Sequence, residues 1–171
     1  AHDKGSSTGG TRIIRTAYYE HPDYVPMCRA AFAGWYRLEQ EGGRHLLTPC
    51  PCLSLGAPDS EGVAGVRAAA PEQQRPVETL AAGGVGVVEQ EAGFLYVEEC
   101  VRAHRDRAKE LGADLRFDEA VQGWEAGPDG VTVHTATATH RADRLVLTAG
   151  PWAGRLLGDL PRPMALGRVA L

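Results

Sequence analysis

A loop of small residues near the start of the chain runs into two arginines that flank an apolar pair. Its glycines tolerate backbone angles closed to other residues, and its hydroxyls are short donors for phosphate or ring oxygens; the loop consists of Gly5, Ser6, Ser7, Thr8, Gly9, Gly10 and Thr11. Arg12 and Arg15 are permanent cations whose forked donors suit a carboxylate or an electron-rich ring edge. These residues predict an anion and cofactor site, although most Gly/Ser/Thr clusters are ordinary loops and most paired arginines are solvated.

A second segment, far downstream, has the residue types of a strand, a turn and a helix. It runs from Asp143 through Thr148-Ala149-Gly150-Pro151-Trp152 to Leu156-Leu157. The early segment reads Thr11-Arg12-Ile13-Ile14-Arg15, followed by Ala17-Tyr18 and Tyr24-Val25-Pro26. In order and spacing, both segments resemble the monomeric sarcosine oxidase and N-methyltryptophan oxidase family. The resemblance covers nearly the whole chain.

The resemblance implies FAD as the cofactor and indicates which residues contact it. Arg12 matches the family's flavin-side arginine, whose positive charge stabilises reduced flavin along its N1 edge. Arg15 matches the arginine that pairs with the substrate carboxylate and so orients the amine. We therefore expect Arg12 and Arg15 to be the catalytic residues, and we expect no metal. The cofactor-binding residues that we expect are Gly5, Ser6, Ser7, Thr8, Arg12, Val121, Thr148, Ala149, Gly150 and Trp152.

The activity that the resemblance implies is oxidation of a small-molecule N-methyl amino acid of the sarcosine type. An N-methyl carbon gives a hydride equivalent to flavin N5, and the imine product hydrolyses. Dioxygen then reoxidises the flavin and yields hydrogen peroxide. Two alternatives stay open: a related flavoprotein of the glycine oxidase or D-amino acid dehydrogenase type, and a noncatalytic domain that binds no flavin.

Several departures from the family pattern are visible. No Gly-x-Gly-x-x-Gly turn lies between a strand and a helix, and Gly83-Gly84-Val85-Gly86 lacks both of those neighbours. The family's flavin-attachment cysteine and catalytic lysine lie beyond the last residue, so we expect an internal fragment of a longer protein. The stretch that connects Val77-Glu78-Thr79-Leu80 to Gly93-Phe94-Leu95 is shorter than expected for the family. This indicates a missing segment or a deletion near Ala82-Gly83. Ser7 and Thr8 stand where the family usually has histidines.

Composition is that of an ordinary globular domain and argues against several classes of partner. The chain has 171 residues, of which 43% are hydrophobic and 23% charged, with a formal net charge of −4. The mixed signs offer no polybasic face to nucleic acid, and the apolar runs are too short to span a membrane. We expect a cytoplasmic protein. Cys50-Pro51-Cys52 lacks a second ligand pair for zinc and the histidines form no ligand set, so we expect reduced, structural cysteines.

The hydrophobic pattern predicts alternating helices and strands. One helix begins at Asp23 and runs to about Glu41, and another opens at Asp59 or Ser60 and ends before Pro71. A third covers residues 97–111, with a buried stripe of Cys100, Val101, His104, Ala108 and Leu111. The predicted strands are residues 46–55, 85–89, 114–117, 120–125, 131–135 and 141–148, and residues 91–95 are predicted to form a turn.

This order predicts an α/β fold, and the resemblance divides it into two interleaved parts. The resemblance assigns residues 1–17 to the cofactor loop with the flavin-side arginines and residues 18–95 to part of a substrate domain with connecting helices. It assigns residues 96–160 to the later part of the FAD-binding domain and residues 161–171 to a return into the substrate domain. We therefore expect a partial doubly wound FAD-binding domain interleaved with part of an α+β mixed-sheet substrate domain.

Overall fold

A computed structural model describes residues 5, 7–69, 71, 74–77 and 84–157, which fall into two units. The first unit is Ser7–Ala113, and the second contains residues 114–157 together with Gly5. Three sequence-based expectations lie outside the described residues: the site residue Ser6, the possible missing segment near residues 82–83, and the return segment 161–171.

The described residues of the first unit form six strands and three helices. In chain order they are β1 (Thr11–Arg15), α1 (Tyr24–Gly42), β2 (Leu47–Pro49), β3 (Cys52–Gly56), α2 (Glu61–Ala69), β4 (Gln74–Val77), β5 (Val85–Glu89), β6 (Ala92–Tyr96) and α3 (Val97–Glu110). The strands form two antiparallel three-stranded sheets, in the orders β1-β6-β2 and β3-β5-β4.

The three predicted helices of this unit are confirmed, and each differs from its predicted bounds by only a few residues. Asp23 occupies the N-cap position of α1, and Gly43 ends that helix in a left-handed conformation. The predicted buried stripe of α3 is partly wrong, because Val97, Cys100 and Ala103 are its buried residues. Cys100 and Ala103, three residues apart, pack in one cluster with Leu46. His104 is exposed, and Leu111, beyond the helix, is 71% exposed.

One strand prediction and one turn prediction of this unit are wrong. Residues 46–55 form β2 and β3 in different sheets rather than one strand, because the chain changes sheets at Cys50-Pro51, where proline has no N–H for a ladder bond. Residues 91–95 are not a turn, since β6 is the central strand of its sheet. Gly93 serves strand packing: a Cβ there would lie 2.6 Å from the carbonyl oxygen of Thr48.

Two apolar clusters stabilise the first unit. One joins the start of α1, the body of α2 and the middle of β5; it consists of Ala17, Val25, Val63, Val66, Ala69 and Val87. The other packs α3 against α1 and the sheet β1-β6-β2; it consists of Leu46, Cys100 and Ala103, flanked by Trp35, Leu38 and Leu95. Ala17 lies two residues after β1 and is fully buried, so the turn that follows β1 is part of the first cluster.

The second unit is a three-stranded meander followed by a short helical turn. Its elements are β7 (Val121–Gly127), β8 (Gly130–Thr135), β9 (Thr139–Ala142), a 3₁₀ turn (Gly150–Trp152) and α4 (Ala153–Leu156). The predicted strands at 120–125 and 131–135 are confirmed as the β7–β8 hairpin. The indole N–H of Trp124 donates to the carbonyl of Leu156 at 2.6 Å, which ties α4 to β7.

The other two strands predicted in this unit are wrong. Residues 114–117 form no strand, and of residues 141–148 only the first two belong to β9. Val146 is 81% exposed, because no strand of the described chain pairs with residues 144–148 to bury it.

The mixed helix-and-sheet character of the prediction is confirmed. All the strand pairings of the described residues are antiparallel, so the doubly wound arrangement and the interleaving of two domains stay predictions. None of the described helices is long and apolar enough to cross a lipid bilayer.

Candidate functional site

Strand β1 carries both candidate arginines, and it presents them on opposite faces. Side chains alternate along a strand, so residues three apart project to opposite sides. Ile14 is buried and shares a face with Arg12, whereas Ile13 is 70% exposed and shares a face with Arg15. The two guanidinium groups therefore lie on opposite faces of the sheet and have different neighbours.

The guanidinium of Arg12 is held by carbonyl groups of its own loop. Its Nη1 donates to the carbonyl of Thr11 and its Nη2 to the carbonyl of Thr8, both at 2.8 Å. The side chain is exposed, and its remaining N–H groups stay available because a guanidinium has five donors. The structure thus brings Thr8 and Arg12 together and fixes a positive charge at the start of β1.

Arg15 lies half-buried at the end of β1, beside two tyrosines. The guanidinium carbon is 5.2 Å from the ring centre of Tyr18 and 5.9 Å from that of Tyr19, within the range of cation–π contacts. Among the described residues Arg15 has no carboxylate partner. A partly desolvated arginine with no acidic partner is suited to binding an anion.

The turn after Arg15 is fixed by a buried glutamate from another strand. Glu89, the last residue of β5, is only 1% exposed. Its Oε1 accepts hydrogen bonds from the backbone N–H of Thr16 at 2.9 Å and of Ala17 at 3.1 Å, and from the Thr16 hydroxyl at 3.4 Å. Glu89 therefore links the sheet β3-β5-β4 to the end of β1.

Aromatic and hydroxyl side chains line the face of the sheet β1-β6-β2 that carries Arg15. The Phe94 and Tyr96 rings meet edge to face at 5.4 Å, and the His45 ring lies 5.4 Å from that of Tyr96. His45 Nε2 is 2.9 Å from the hydroxyl of Thr48. Together with the exposed Ile13, this face offers apolar area and hydroxyl groups to a flat ligand.

Three of the four cysteines are poor nucleophiles, because each has a raised pKa. All four thiols are free. Burial raises the pKa of both Cys28 and Cys52, and the nearby Glu89 raises both pKa values further, although Arg15 partly opposes this. Burial, followed by Glu39, also raises the pKa of Cys100. Within the described chain, no cluster of His, Cys, Asp or Glu side chains could hold a metal ion.

The other expected cofactor residues belong to the second unit. Val121 begins β7 and is 40% exposed, and Trp152 ends the 3₁₀ turn at 37% exposure. Thr148 and Ala149 precede that turn. At Gly150, whose φ is +55°, an added Cβ would meet no described atom within 4 Å, so a ligand can reach the main chain there. Gly5 is also in this unit.

These residues fit parts of a flavin dinucleotide. Within the first unit, the hydroxyl of Ser7 and the remaining N–H groups of Arg12 are donors for an anionic group. Within the second unit, taken by itself, the backbone at Gly150 is open to a flat ring. The aromatic face beside Arg15 adds apolar contact area. The first unit therefore has both polar donors and apolar surface, the kinds of contact that a charged chain and a planar ring need.

Sequence reasoning missed three contributors to the site: Glu89, Tyr18 as an aromatic neighbour of Arg15, and Gly65. An added Cβ at Gly65 would lie 2.2 Å from the carbonyl oxygen of Tyr19, so α2 packs directly on the turn after β1. One signal was present in the sequence: Glu89 ends an otherwise apolar run, Val85-Gly86-Val87-Val88. A carboxylate at the end of such a strand is buried only if it finds hydrogen-bond donors.

The chain matches known flavoproteins over nearly its whole length. The family described as DAO, FAD dependent oxidoreductase, matches residues 1–169. Monomeric sarcosine oxidase of Streptomyces avermitilis is 37% identical over 181 residues, which cover 98% of this chain and 47% of that protein. N-methyl-L-tryptophan oxidase of Yersinia pestis is 33% identical over 174 residues, which cover 94% of this chain and 47% of that protein.

Solved structures give the same result for the fold. NikD, an unusual amino acid oxidase essential for nikkomycin biosynthesis, superposes in its open form with a TM-score of 0.77 at 26% identity, over 90% of this chain and 43% of that chain. Glycine oxidase from Geobacillus kaustophilus has a TM-score of 0.71 at 16% identity, over 90% of this chain and 48% of that chain, and supports the fold alone.

The chain spans about half the length of the curated relatives that it matches. The match to residues 1–169 and the identity above 30% confirm the resemblance seen in the sequence motifs. FAD is the cofactor of the matching family. The chain belongs to the DAO family of FAD-dependent oxidoreductases.

Proposed function

We propose that the protein carrying this chain is an FAD-dependent oxidase of N-methyl amino acids, with secondary amines of the sarcosine type as substrates and dioxygen as the electron acceptor. The observation that carries the proposal is the setting of Arg15. Its guanidinium is half-buried beside Tyr18 and Tyr19, and among the described residues no carboxylate forms an ion pair with it. An amino acid substrate supplies the missing carboxylate.

In this proposal each arginine has a separate task. Arg15 binds the substrate carboxylate through two parallel N–H donors and so orients the N-methyl carbon. The rings of Tyr18 and Tyr19 hold the guanidinium plane through cation–π contacts. Arg12, fixed by Thr8 and Thr11, supplies a permanent positive charge on the flavin side. FAD, when bound, would supply the two-electron oxidation of the amine and the return of those electrons to dioxygen as hydrogen peroxide.

The relatives support this choice of substrate class. Two of them are named for sarcosine and N-methyl-L-tryptophan, which share an N-methyl amine next to a carboxylate. An arginine without an acidic partner suits the part that these two molecules have in common. The side chain of the amino acid would be distinguished elsewhere in the site.

The test is a peroxide assay on the purified complete gene product. Flavin absorbance is recorded first, and peroxide release is then measured with sarcosine, N-methyltryptophan, glycine and a D-amino acid. We expect bound flavin and the highest kcat/KM with an N-methyl amino acid. Preference for glycine or the D-amino acid would favour the alternative oxidase or dehydrogenase types, and absence of flavin would favour a noncatalytic domain.

A further inference from the structure

We propose that Glu89 is a positioning residue for the substrate carboxylate: by accepting main-chain hydrogen bonds from the turn after β1, it fixes the guanidinium of Arg15 beside Tyr18. This proposal rests on the proposed function of Arg15 and adds a residue to it. Glu89 touches neither the expected substrate nor the flavin, and it acts through the backbone of Thr16 and Ala17.

Glu89 is a buried carboxylate, and its burial must be offset by hydrogen bonds or by a charged partner. A carboxylate that is 99% removed from solvent is unfavourable unless it is hydrogen-bonded or paired. Glu89 Oε1 accepts hydrogen bonds from the backbone N–H groups of Thr16 and Ala17, and the Thr16 hydroxyl is shared between Oε1 at 3.4 Å and the Glu91 carbonyl at 3.3 Å. Two of the donors are consecutive backbone N–H groups, so a single oxygen fixes the direction in which the chain leaves β1. Arg15 is the residue immediately before this turn.

The same turn is held from its other end by α2. Gly65 has no side chain, and the Tyr19 carbonyl occupies the space where a Cβ would stand, at 2.2 Å. The backbone from Thr16 to Tyr19 is therefore fixed at both ends, by Glu89 and by Gly65. Tyr18, whose ring lies 5.2 Å from the Arg15 guanidinium carbon, sits between these two contacts.

The second oxygen of Glu89 gives the residue an electrostatic role as well. Among the described residues, Oε2 has no hydrogen-bond partner although it is buried. Glu89 Oε1 accepts a hydrogen bond from the backbone N–H of Thr16, the residue after Arg15, so the two charges share one neighbourhood. A negative charge there offsets part of the positive potential of Arg15. Positioning strengthens carboxylate binding and the charge weakens it, so Glu89→Gln and Glu89→Ala have different effects.

Glu39 provides a matched control. Its Oε1 also accepts two consecutive backbone N–H groups, those of Leu46 at 2.6 Å and Leu47 at 2.9 Å. This contact fixes the start of β2, whereas the Glu89 contact fixes the end of β1. Glu39→Ala therefore removes the same kind of interaction without touching the turn that follows Arg15.

The experiment measures binding of a simple carboxylate to the complete gene product, loaded with its flavin. Affinity for acetate and for the neutral acetamide is obtained from the shift in melting temperature with ligand concentration, which needs no turnover. KM and kcat for sarcosine and for its neutral amide are measured in parallel. The variants are Glu89→Ala, Glu89→Gln, Glu39→Ala and Arg15→Met.

We expect Glu89→Ala to weaken acetate binding about tenfold and to raise KM for sarcosine by a similar factor, since hydrogen bonds to a charged group are lost. Acetamide binding and kcat should change much less. Glu89→Gln keeps an acceptor and loses the charge, so its acetate affinity should equal or exceed that of the wild type. Glu39→Ala should lower the melting temperature and leave acetate affinity unchanged.

Equal acetate affinity in Glu89→Ala and the wild type would overturn the proposal, as would an equal loss in Glu39→Ala. If Glu89→Ala is not recovered folded, Glu89→Asp takes its place, because the shorter side chain withdraws the acceptor from Thr16 and Ala17 while keeping the charge. Failure of the proposed function is a different result: the wild type would then release no peroxide with any N-methyl amino acid, whatever the acetate affinities of the variants.

Discussion

Replacing Arg15 by lysine is the most direct test of the carboxylate site. Lysine keeps the positive charge, but it cannot present two parallel N–H donors, and its ammonium group cannot stack flat against an aromatic ring. The wild-type guanidinium carbon lies 5.2 Å from the Tyr18 ring centre and 5.9 Å from that of Tyr19. We therefore expect Arg15→Lys to lose both the paired hydrogen bonds and the orientation that the rings provide.

The size of the effect follows from these two losses. A hydrogen bond to a charged group contributes about 1.5–3 kcal/mol. Each cation–π contact at a half-exposed site adds about 0.5–1 kcal/mol, of which a lysine keeps a part. A net loss of about 1.5–3 kcal/mol lowers kcat/KM for a carboxylate substrate about 10-fold to 150-fold. Most of the change should appear in KM, because the carboxylate is held in both the ground state and the transition state.

The assay is steady-state peroxide release with sarcosine and with sarcosine amide. Arg15→Lys should lose activity toward the acid and little toward the amide, because the amide carries no carboxylate. Arg102→Lys is the control, since Arg102 is an exposed residue of α3 whose partner is Glu99 on the same helix. Wild-type kinetics with sarcosine in Arg15→Lys would refute the assignment of Arg15, and an equal loss with the acid and the amide would refute the carboxylate role.

Three further predictions concern other parts of the chain. Gly150→Val should lower the flavin content of the purified protein several-fold, because a β-branched residue is strained at φ +55° and fills the open backbone, whereas Gly154→Ala in α4 should leave flavin content unchanged. Burial raises the pKa of Glu39, but hydrogen bonds from two backbone N–H groups and from a histidine lower it more, so its folded pKa lies below the ordinary value. The stability that this contact contributes is present above about pH 4 and is lost in acid. Glu39→Ala should therefore lower the free energy of unfolding, measured by urea titration, by about 2 kcal/mol at neutral pH and by less below pH 4. A maleimide should label the exposed Cys50 before the buried Cys100, because the raised pKa of Cys100 keeps its thiol protonated. Mass spectrometry follows the labelling, which should become equal for the two cysteines in urea.

The sequence predicted the elements whose signals are local. Helices α1 and α3 repeat their apolar residues at helical spacing and stop at glycines, and the β7–β8 hairpin alternates around a Pro-Asp-Gly turn. Strand β6 was missed because Gly93 indicates a turn when only neighbouring residues are considered. Glycine is needed at position 93 because the carbonyl oxygen of Thr48 would lie 2.6 Å from a Cβ there. Thr48 is on β2, a strand distant in the chain.

The residues of the candidate site could likewise be predicted only where the signal is local. Arg12 and Arg15 could be selected from their residue types and from the family resemblance. Their opposite orientation follows from β1, a strand that no local pattern predicted. The contact between Glu89 and Thr16 joins residues 73 positions apart, and nothing in either segment specifies the other. Long-range hydrogen bonds of this kind are determined by how the sheets pack, which a single sequence does not reveal.

In the proposed function the two arginines of β1 act on two different ligands, which the geometry of the strand allows. The strand projects Arg12 and Arg15 to opposite sides, and each is fixed differently: Arg12 by the carbonyls of its own loop, and Arg15 by two tyrosine rings on a turn that Glu89 holds. Neither arginine depends on the other's ligand for its position. Since both are preorganised before a ligand arrives, little binding energy is lost in ordering them. A helix would have placed residues three apart on one face, where the two positive charges would repel each other and compete for one anion.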